Sequence, residues 1–363
     1  MANNEPTIRA LKVRAVTVPM PRPLWTSGGA VEAAPLVLID LETNADITGR
    51  SYIFTYTPLA LAPMVQLLGN LESVVKGDAV APFEIEAKLQ QVFRLLGTQG
   101  LALMAIAGID MAAWDALARS ADLPLARFLG GRPGAIPAYN STGLGIVGPD
   151  RAAAEAEDLV VPGFTAIKVR LGYADVAADV AVVRAVRRAV GDDVLLMSDF
   201  NQSLTVPQAR SRIHRLDDEG LFWIEEPTRC DDYNGHAEIR KSARTPIQLG
   251  ENCWGPHDMA KAVDAGACDF FMADAMKIGG ITGWLRASAL AEAAAIPLSS
   301  HLFPEVSAHL LSVAPTGHWL EYVDWANPIL KEPLAIEGGC AIVSSAPGIG
   351  LEWDEKAVAG FLA

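Results

Sequence analysis

The stretch Phe270-Phe-Met-Ala-Asp274 is an apolar run that ends at an acidic residue, and three earlier stretches repeat this pattern. They are VLLMSD at 194–199, LFWIE at 221–225 and IQLGE at 247–251. The acidic residues are 26, 26 and 23 residues apart, about the length of one strand, one helix and two loops. Because all strands of a βα barrel end at one face, we expect the four carboxylates to converge there.

Predicted strands and helices alternate regularly over most of the second half of the chain. Eight strands are predicted, at 136–140, 164–170, 194–199, 221–225, 247–250, 269–274, 296–301 and 318–321. The clearest of the helices between them are Asp175–Val190 and Gly280–Ala295. Eight strands with seven intervening helices describe a barrel, so the predicted fold class is α/β, with the barrel over residues 131–331.

Residues 1–130 are predicted to form a separate α+β domain. Alternating apolar and polar residues indicate strands at Ile8–Val18, Pro35–Thr43 and Ile47–Phe54. The Ala-rich stretch Leu101–Arg119 is the clearest helix of this domain. Pro21–Ala34 is rich in Gly and Pro and is predicted to be a loop long enough to act as a lid. Residues 332–363 are predicted to leave the barrel and pack back on the first domain.

Composition narrows the class of protein. The chain has 363 residues, of which 51% are hydrophobic and 20% are charged, as expected for a packed core and not for disorder. A net charge of −14 argues against nucleic acid or anionic membranes as partners. The four cysteines form no CxxC pair, and neither a signal peptide nor an apolar run of about 20 residues is evident. We therefore expect a cytoplasmic protein.

Asp199, Glu225 and Glu251 are predicted to bind a metal ion. Unpaired carboxylates at close range repel one another, and oxygen ligands favour Mg²⁺ or a similar hard cation. The alternative is that each acid caps a helix or pairs with a base, but three acids at matched spacing favour the metal. Glu226 points the opposite way from Glu225 on a strand, so we expect it to support the ligands from outside.

Basic side chains are expected at the same end of the barrel. Lys168 and Arg170 lie two residues apart on one predicted strand and share a face, where they would hold a substrate carboxylate or pair with the acids. His301 ends the strand after the one that ends at Asp274, so this carboxylate would orient the imidazole and raise its basicity. The alternative for His301 is a core histidine. Lys277 is expected to neutralise buried acidic charge.

Three further features have weaker predictions. Glu321 ends the eighth strand, and a protonated acid there would donate a hydrogen bond to an enolate oxygen. His309 and His318 are predicted to be structural. Gly143–Gly148 matches GxGxxG, but the next strand ends in basic residues where dinucleotide-binding proteins have a ribose-binding acid. We interpret this motif as a mobile loop at the barrel mouth.

Together, the motifs resemble those of the enolase superfamily, specifically its mandelate racemase subgroup, the mandelate racemase/muconate lactonizing enzyme family. The motifs in question are Lys168-Val-Arg170, Asp199-Phe-Asn201, Trp223-Ile-Glu-Glu-Pro227, Gly250-Glu-Asn252, Asp274-Ala-Met-Lys-Ile-Gly-Gly280, Ser299-Ser-His-Leu-Phe303, Gly108-Ile-Asp-Met-Ala-Ala-Trp-Asp115 and Gly317-His-Trp-Leu-Glu321. The resemblance implies a modified TIM barrel, (β/α)7β, under an α+β capping domain. It also implies a homo-oligomer, with octamers common in the family.

The resemblance implies one Mg²⁺ on Asp199, Glu225 and Glu251, which binds a substrate carboxylate and stabilises the enolate formed when the α-proton leaves. It assigns the base to a His301–Asp274 dyad. It implies that Lys168 and Ser141 contact the carboxylate, Asn201 the 2-hydroxyl and Glu321 the enolate oxygen. Apolar side chains are expected to line the pocket for the rest of the substrate: Leu24, Trp25, Val31, Tyr56 and Leu302.

One departure from the family pattern concerns Arg170, because relatives with two-base chemistry carry a second lysine there. Neutralising a lysine at pH 7 costs about 4–5 kcal/mol, whereas an arginine costs about 9 kcal/mol, so Arg170 is a poor base. We therefore predict dehydration of a hydroxy or sugar acid to a 2-keto acid. The runner-up is racemisation or epimerisation of a mandelate-like acid. A cycloisomerase and a non-catalytic metal-binding barrel rank lower.

Overall fold

The computed structural model describes residues 5–26 and 28–363. Its N-terminal region begins with an antiparallel sheet of strands β1 (Ile8–Thr26), β2 (Gly29–Thr43) and β3 (Thr48–Phe54), in that order. A short 3₁₀ helix at Pro58–Ala60 follows. Four helices come next: α1 (Leu61–Val75), α2 (Pro82–Val92), α3 (Leu101–Ser120) and α4 (Leu125–Phe128).

The prediction of a lid loop at Pro21–Ala34 is wrong, because this segment belongs to a long β-hairpin. Leu24 pairs with Val31 and Trp25 with Ala30, so β1 and β2 continue far beyond the predicted strands. β1 is an edge strand, where proline is tolerated, and its register shifts between Pro19 and Leu24. The Gly/Pro-rich composition therefore marks an irregular hairpin and not a loop.

Two segments are long and apolar enough to cross a membrane by length and composition, Pro58–Val75 and Leu101–Ser120, with mean hydropathies of 1.2 and 1.6. The prediction that no apolar run reaches this length is corrected accordingly. In Leu101–Ser120, 89% of an 18-residue apolar stretch is buried inside the protein. Gly108 allows this helix to approach the sheet closely. The core helix of a globular domain can have the same length and apolar composition as a membrane-spanning helix. In Pro58–Val75 the buried share is 28%.

Eight parallel strands form the barrel: β4 (Ala135–Asn140), β5 (Ala166–Arg170), β6 (Leu195–Asp199), β7 (Leu221–Glu225), β8 (Ile247–Leu249), β9 (Phe270–Asp274), β10 (Leu298–His301) and β11 (Leu320–Tyr322). Neighbours pair in chain order from β4 to β10, and β11 pairs with β4. The Ser300 amide donates to the Trp319 carbonyl at 2.9 Å and closes the gap between β10 and the chain that enters β11.

Seven helices connect these strands: α5 (Pro149–Val160), α6 (Val176–Val190), α7 (Val206–Leu216), α8 (Tyr233–Ser242), α9 (Pro256–Asp264), α10 (Gly280–Ala293) and α11 (Pro304–Leu311). The predicted (β/α)7β barrel is therefore confirmed. Aromatic side chains fill its interior, where Tyr139 and Trp223 meet edge to face at 5.3 Å. This aromatic layer packs the barrel interior below the strand ends.

The C-terminal segment contacts both parts of the protein. Strands β12 (Ile336–Glu337) and β13 (Cys340–Ile342) form a hairpin that adds to β4 in the antiparallel sense. Trp353 then donates from its indole nitrogen to Asp40 of β2 at 2.8 Å. The last helix, α12 (Glu355–Phe361), begins with a residue that pairs with Arg14 of β1.

Asp110 of α3 joins the N-terminal region to the barrel. Its fully buried carboxylate accepts hydrogen bonds from the Thr282 amide at 3.0 Å and from the Thr282 hydroxyl at 2.5 Å, at the start of α10. Trp114 donates to the same hydroxyl oxygen at 2.9 Å. Since the first amides of a helix have no partner within it, Asp110 caps α10 from another element.

We expect Asp110→Ala to lower the free energy of unfolding by about 2 kcal/mol, because it removes a cap and leaves buried Thr282 donors without an acceptor. The comparison is Asp175→Ala, since Asp175 caps α6 at an exposed position and its loss should cost about 1 kcal/mol. Urea unfolding of both variants measures the difference. Equal losses would mean that Asp110 is an ordinary cap.

Candidate active site

The three predicted metal ligands converge at the C-terminal end of the barrel. Asp199 and Glu225 are the last residues of β6 and β7, and Glu251 follows β8 after Gly250. One oxygen from each carboxylate lies within 4.8 Å of the others, and all three side chains are buried. Gly250 has a φ of +130°, and a Cβ there would lie 2.4 Å from the Met272 carbonyl oxygen. Only glycine therefore allows the turn that brings Glu251 inward.

This cluster fits a hard divalent cation. Burial raises the pKa of Asp199 and Glu225, and the neighbouring carboxylates raise it further, against the opposing effect of Lys168. Burial alone would also raise the pKa of Glu251, but His301, Lys277 and Lys168 together outweigh it and the net shift is downward. Three buried oxygen donors that repel one another are a donor set suited to Mg²⁺.

Glu226 and Asn252 support the cluster from outside. The Asn252 amide nitrogen donates to Glu226 at 2.8 Å and to Glu251 at 2.9 Å, and Glu226 is itself buried. This position agrees with the expectation that Glu226 lies behind the predicted ligands. The bridge through Asn252 limits the rotation of the Glu251 carboxylate.

Lys168 lies among the acids. Its ammonium is 2.9 Å from Glu225, 2.8 Å from Glu321 and 3.5 Å from Asp199. Burial lowers the pKa of Lys168, but Glu225 and Glu321 outweigh it, so the net pKa is well above its usual value. Lys168 is therefore a cation at neutral pH and not a base.

Arg170 is held by the loop that follows β4. Its guanidinium donates to the Ser141 carbonyl at 2.8 Å, the Gly143 carbonyl at 3.0 Å and the Ser141 hydroxyl at 2.8 Å. Three bonds of this kind fix a planar guanidinium. Its Nε is buried, with no partner among the described residues.

Gly143–Gly148, the GxGxxG segment, supports the β-hairpin. The Ile146 amide donates to the Trp25 carbonyl at 2.7 Å, and a Cβ on Gly145 would lie 2.5 Å from the same oxygen. Close backbone packing accounts for Gly145.

Glu321 accepts hydrogen bonds from the Ser141 hydroxyl at 2.7 Å and the Leu302 amide at 2.9 Å, besides its contact with Lys168. Burial would raise its pKa, but Lys168 and His301 lower it to about 2. A cation from β5 lies against Glu321 and keeps it ionised here, so the protonated Glu321 expected beside the enolate oxygen stays a prediction for the substrate complex.

His301 and Asp274 lie opposite each other in the pairing of β10 and β9. The imidazole Nδ1 is 2.7 Å from the Asp274 carboxylate, and Nε2 is 3.0 Å from Glu251. The Lys277 amide also donates to Asp274 at 2.8 Å, which holds that carboxylate in place. Burial lowers the pKa of His301, but Glu251 and Glu321 outweigh it, and without a bound cation the net pKa is well above its usual value. A divalent cation on Glu251 would offset the charge of that carboxylate and so lower the pKa of His301, which frees Nε2 to accept a proton.

A cavity of about 420 Å³ lies over these side chains. Its polar floor includes Lys168, Arg170, Asp199, Asn201, Glu251, His301 and Glu321. Its walls are largely apolar and include Leu24, Val31, Phe54, Tyr56, Leu101, Met104, Trp254, Leu302 and Trp325. Ser141 lies beneath, bonded to Glu321, and Trp25 is not among the lining residues.

Some lining residues were not predicted from the sequence. Leu101 and Met104 come from the start of α3, and Trp254 and Trp325 come from loops of the barrel. No local pattern marks them, because only the packing of α3 over the barrel brings them to the cavity. His309 and His318 do not line it, in line with their predicted structural role.

Two family profiles match the chain. The N-terminal domain of mandelate racemase/muconate lactonizing enzyme matches residues 9–130, and the enolase C-terminal domain-like family matches residues 151–357. The chain therefore belongs to the mandelate racemase/muconate lactonizing enzyme family of the enolase superfamily, as the motifs predicted.

Characterised relatives are metabolic enzymes. An L-talarate/galactarate dehydratase of Salmonella typhimurium is 33% identical, over 76% of this chain and 69% of its own length. A 3,6-anhydro-alpha-L-galactonate cycloisomerase of Streptomyces coelicolor is 30% identical, over 96% and 97%. The prediction of an enzyme is confirmed.

Solved structures agree closely with this fold. An enolase from alpha proteobacterium bal199 with bound magnesium is 44% identical, with a TM-score of 0.97 over 99% of this chain and 100% of that one. An enolase from Bradyrhizobium in complex with magnesium and mandelic acid is 45% identical, with a TM-score of 0.95 over 99% of both chains.

We expect Mg²⁺ to raise the Tm, and to raise it more as the pH increases above about 5. In the metal-free protein, Asp199 and Glu225 have raised pKa values and hold protons that the unfolded chain has lost, so stability falls as pH rises through that window. A bound cation displaces these protons and therefore stabilises more at higher pH. Thermal unfolding between about pH 5 and 8, with and without Mg²⁺, measures this.

The control is Glu225→Gln, which keeps the shape of the side chain and removes one charge. It should reduce the Mg²⁺-dependent rise in Tm at every pH. A rise that does not change with pH would contradict the assigned proton release.

Proposed function

We propose that the protein removes the α-proton of a 2-hydroxy carboxylate in a Mg²⁺-dependent reaction, with His301 as the base. The observation that carries this proposal is the 2.7 Å contact of His301 with Asp274, which directs Nε2 towards the acid cluster. Asp199, Glu225 and Glu251 would hold the Mg²⁺. When bound there, the ion supplies positive charge that stabilises the negative charge developing on the substrate carboxylate.

The other polar side chains bind and orient the substrate. Lys168 donates hydrogen bonds to the carboxylate from the cavity floor. Ser141 lies beneath the floor with its one hydroxyl proton on Glu321, so it donates to the carboxylate only after it turns away from Glu321. Asn201 has a buried amide oxygen without a partner among the described residues, and this oxygen accepts the 2-hydroxyl proton. Glu321 positions Lys168 and Ser141 through its hydrogen bonds, and it would donate to the enolate oxygen once it is protonated.

We favour dehydration to a 2-keto acid as the outcome. Arg170 would meet the substrate on the side opposite His301, and its guanidinium, bonded to Ser141 and Gly143, does not supply a base there. Removing a proton from arginine at pH 7 costs about 9 kcal/mol. Loss of water after one proton abstraction needs only the His301 face. The dehydratase of Salmonella typhimurium supports this outcome.

Racemisation or epimerisation of a mandelate-like acid is the second candidate. The apolar walls formed by Leu24, Val31 and Met104 favour it, because they match an aryl or alkyl group better than a polyhydroxy chain. The Bradyrhizobium structure in complex with mandelic acid supports the same substrate class. A metal-binding barrel without turnover is the alternative of another class, and the absence of any proton exchange would favour it.

We also propose a cytoplasmic homo-oligomer, with an octamer as the form that its family favours. The four cysteines are free, as is usual in a reducing compartment. Light scattering coupled to gel filtration tests the oligomeric state.

The first test is proton NMR in D₂O with Mg²⁺ and a panel of 2-hydroxy acids, comprising both enantiomers of mandelate, aldonates and aldarates. We expect loss of the α-proton signal and, for substrates with a 3-hydroxyl, a 2-keto product. His301→Asn should slow this loss by at least about 100-fold, because general base catalysis typically contributes that much. Exchange that persists in His301→Asn would assign the base elsewhere.

The second test concerns the face of Arg170. We expect Arg170→Lys to introduce deuterium exchange into the enantiomer that the wild-type protein leaves untouched, because a lysine can lose its proton in such a site. Arg170→Met is the matched control, since it removes the charge without supplying a base. If both variants have the wild-type product pattern, our argument about this face is wrong.

A further inference from the structure

Lys277 is a buried cation at the cavity that has no acidic partner. Three cations line the cavity, and Lys168 contacts three acids while Arg170 donates to carbonyl and hydroxyl oxygens. Among the described residues, no carboxylate lies within 4.0 Å of the Lys277 ammonium. The charge of Lys277 acts on Glu251 and Glu226, as expected of a residue that offsets buried acidic charge, but neither acid pairs with it directly.

The surroundings of Lys277 leave part of its ammonium facing the cavity. Its Nζ donates to the Asn252 side-chain oxygen at 2.6 Å and lies 4.4 Å from the centre of the Tyr56 ring. An ammonium has three N–H donors, and one hydrogen bond with one aromatic face does not use all of them. Lys277 is only 5% exposed and lines the cavity, so a ligand in the cavity is placed to supply the missing acceptor.

Lys277 lies on the same side of the cavity as His301. Asn252, which accepts from Lys277, donates to Glu251 at 2.9 Å, and the other oxygen of Glu251 is 3.0 Å from His301 Nε2. The ammonium and the imidazole therefore flank one carboxylate. Arg170 extends from β5, whereas Lys277 follows β9. Three strands lie between β5 and β9 in the sheet.

We propose that Lys277 binds an oxygen substituent on the carbon next to the one that loses its proton, and so selects 2,3-dihydroxy acids with an apolar remainder. This inference rests on the proposed function. The Asn252 contact orients the ammonium, and the Tyr56 ring packs against it. The apolar walls then receive the substrate beyond its third carbon.

In this position Lys277 can also donate a proton in the elimination of water. The C2 proton goes to His301 Nε2, and its electron pair forms the C2–C3 double bond. The C3–O bond breaks, and the oxygen keeps that electron pair and takes a proton from Lys277 to leave as water. The enol becomes the 2-keto acid, after which His301 returns its proton to solvent and Lys277 regains one.

The test compares stereoisomers of 2,3-dihydroxy-3-phenylpropanoate with those of 2-hydroxy-3-phenylpropanoate, which differ only in the 3-hydroxyl. Binding with Mg²⁺ is followed by tryptophan fluorescence, because Trp254 and Trp325 line the cavity. Turnover is followed by NMR in D₂O. The variants are Lys277→Met, Lys277→Arg and, as a remote control, Lys261→Met, since Lys261 is an exposed partner of Asp258.

We expect the wild-type protein to bind the dihydroxy acid at least tenfold more tightly than the monohydroxy acid. Lys277→Met should abolish this preference, Lys277→Arg should keep part of it, and Lys261→Met should keep all of it. If Lys277→Met does not fold, as judged by circular dichroism, Lys277→Gln replaces it. A preference that is absent in the wild-type protein, or unchanged without the Lys277 charge, overturns the inference.

The two proposals fail in different ways. Exchange of the α-proton of the monohydroxy acid without any preference for the 3-hydroxyl leaves the proposed function standing and removes the role of Lys277. If the wild-type protein exchanges the α-proton of neither acid, the proposed function is overturned together with this inference.

Discussion

Repulsion among buried carboxylates is the constraint on which the site depends. Asp199, Glu225 and Glu251 are held together by the ends of three adjacent strands, and not by attraction for one another. Lys168 reduces the repulsion from within, and Glu321 in turn orients Lys168. Because burial strengthens every electrostatic interaction, this arrangement favours a bound cation and keeps the surrounding donors charged.

The charged side chains of the site and the walls that shape its cavity come from different parts of the chain. The barrel supplies the acids, the cations and the imidazole, whereas the hairpin and α3 supply much of the apolar wall, including Leu24, Val31 and Met104. Asp110 connects these parts, because it caps α10 shortly after the segment that carries Asp274 and Lys277. Substitutions in the hairpin can therefore alter the substrate while the barrel keeps its chemistry.

Sequence reasoning succeeded where a pattern is local and failed where a partner is distant. Apolar runs that end in acids located the barrel strands, since each strand leaves its own signal. The Gly/Pro-rich stretch 21–34 was misjudged as a loop, because an edge strand tolerates proline that a central strand does not. The contact of Glu321 with Lys168 was not foreseen, because the apolar neighbours of Glu321 in sequence carry no information about a cation on another strand.

The sequence by itself determined which charged residues stand at the strand ends and in what order, and thereby the family and its chemistry. Strand periodicity and short motifs are properties of neighbouring residues, so they can be recognised without a structure. Only the tertiary structure decided how those charges are paired: Arg170 is bound by the loop that follows β4, while Lys277 is left with an amide and an aromatic ring. Pairing depends on distances between strands and loops far apart in the chain, and folding alone sets those distances.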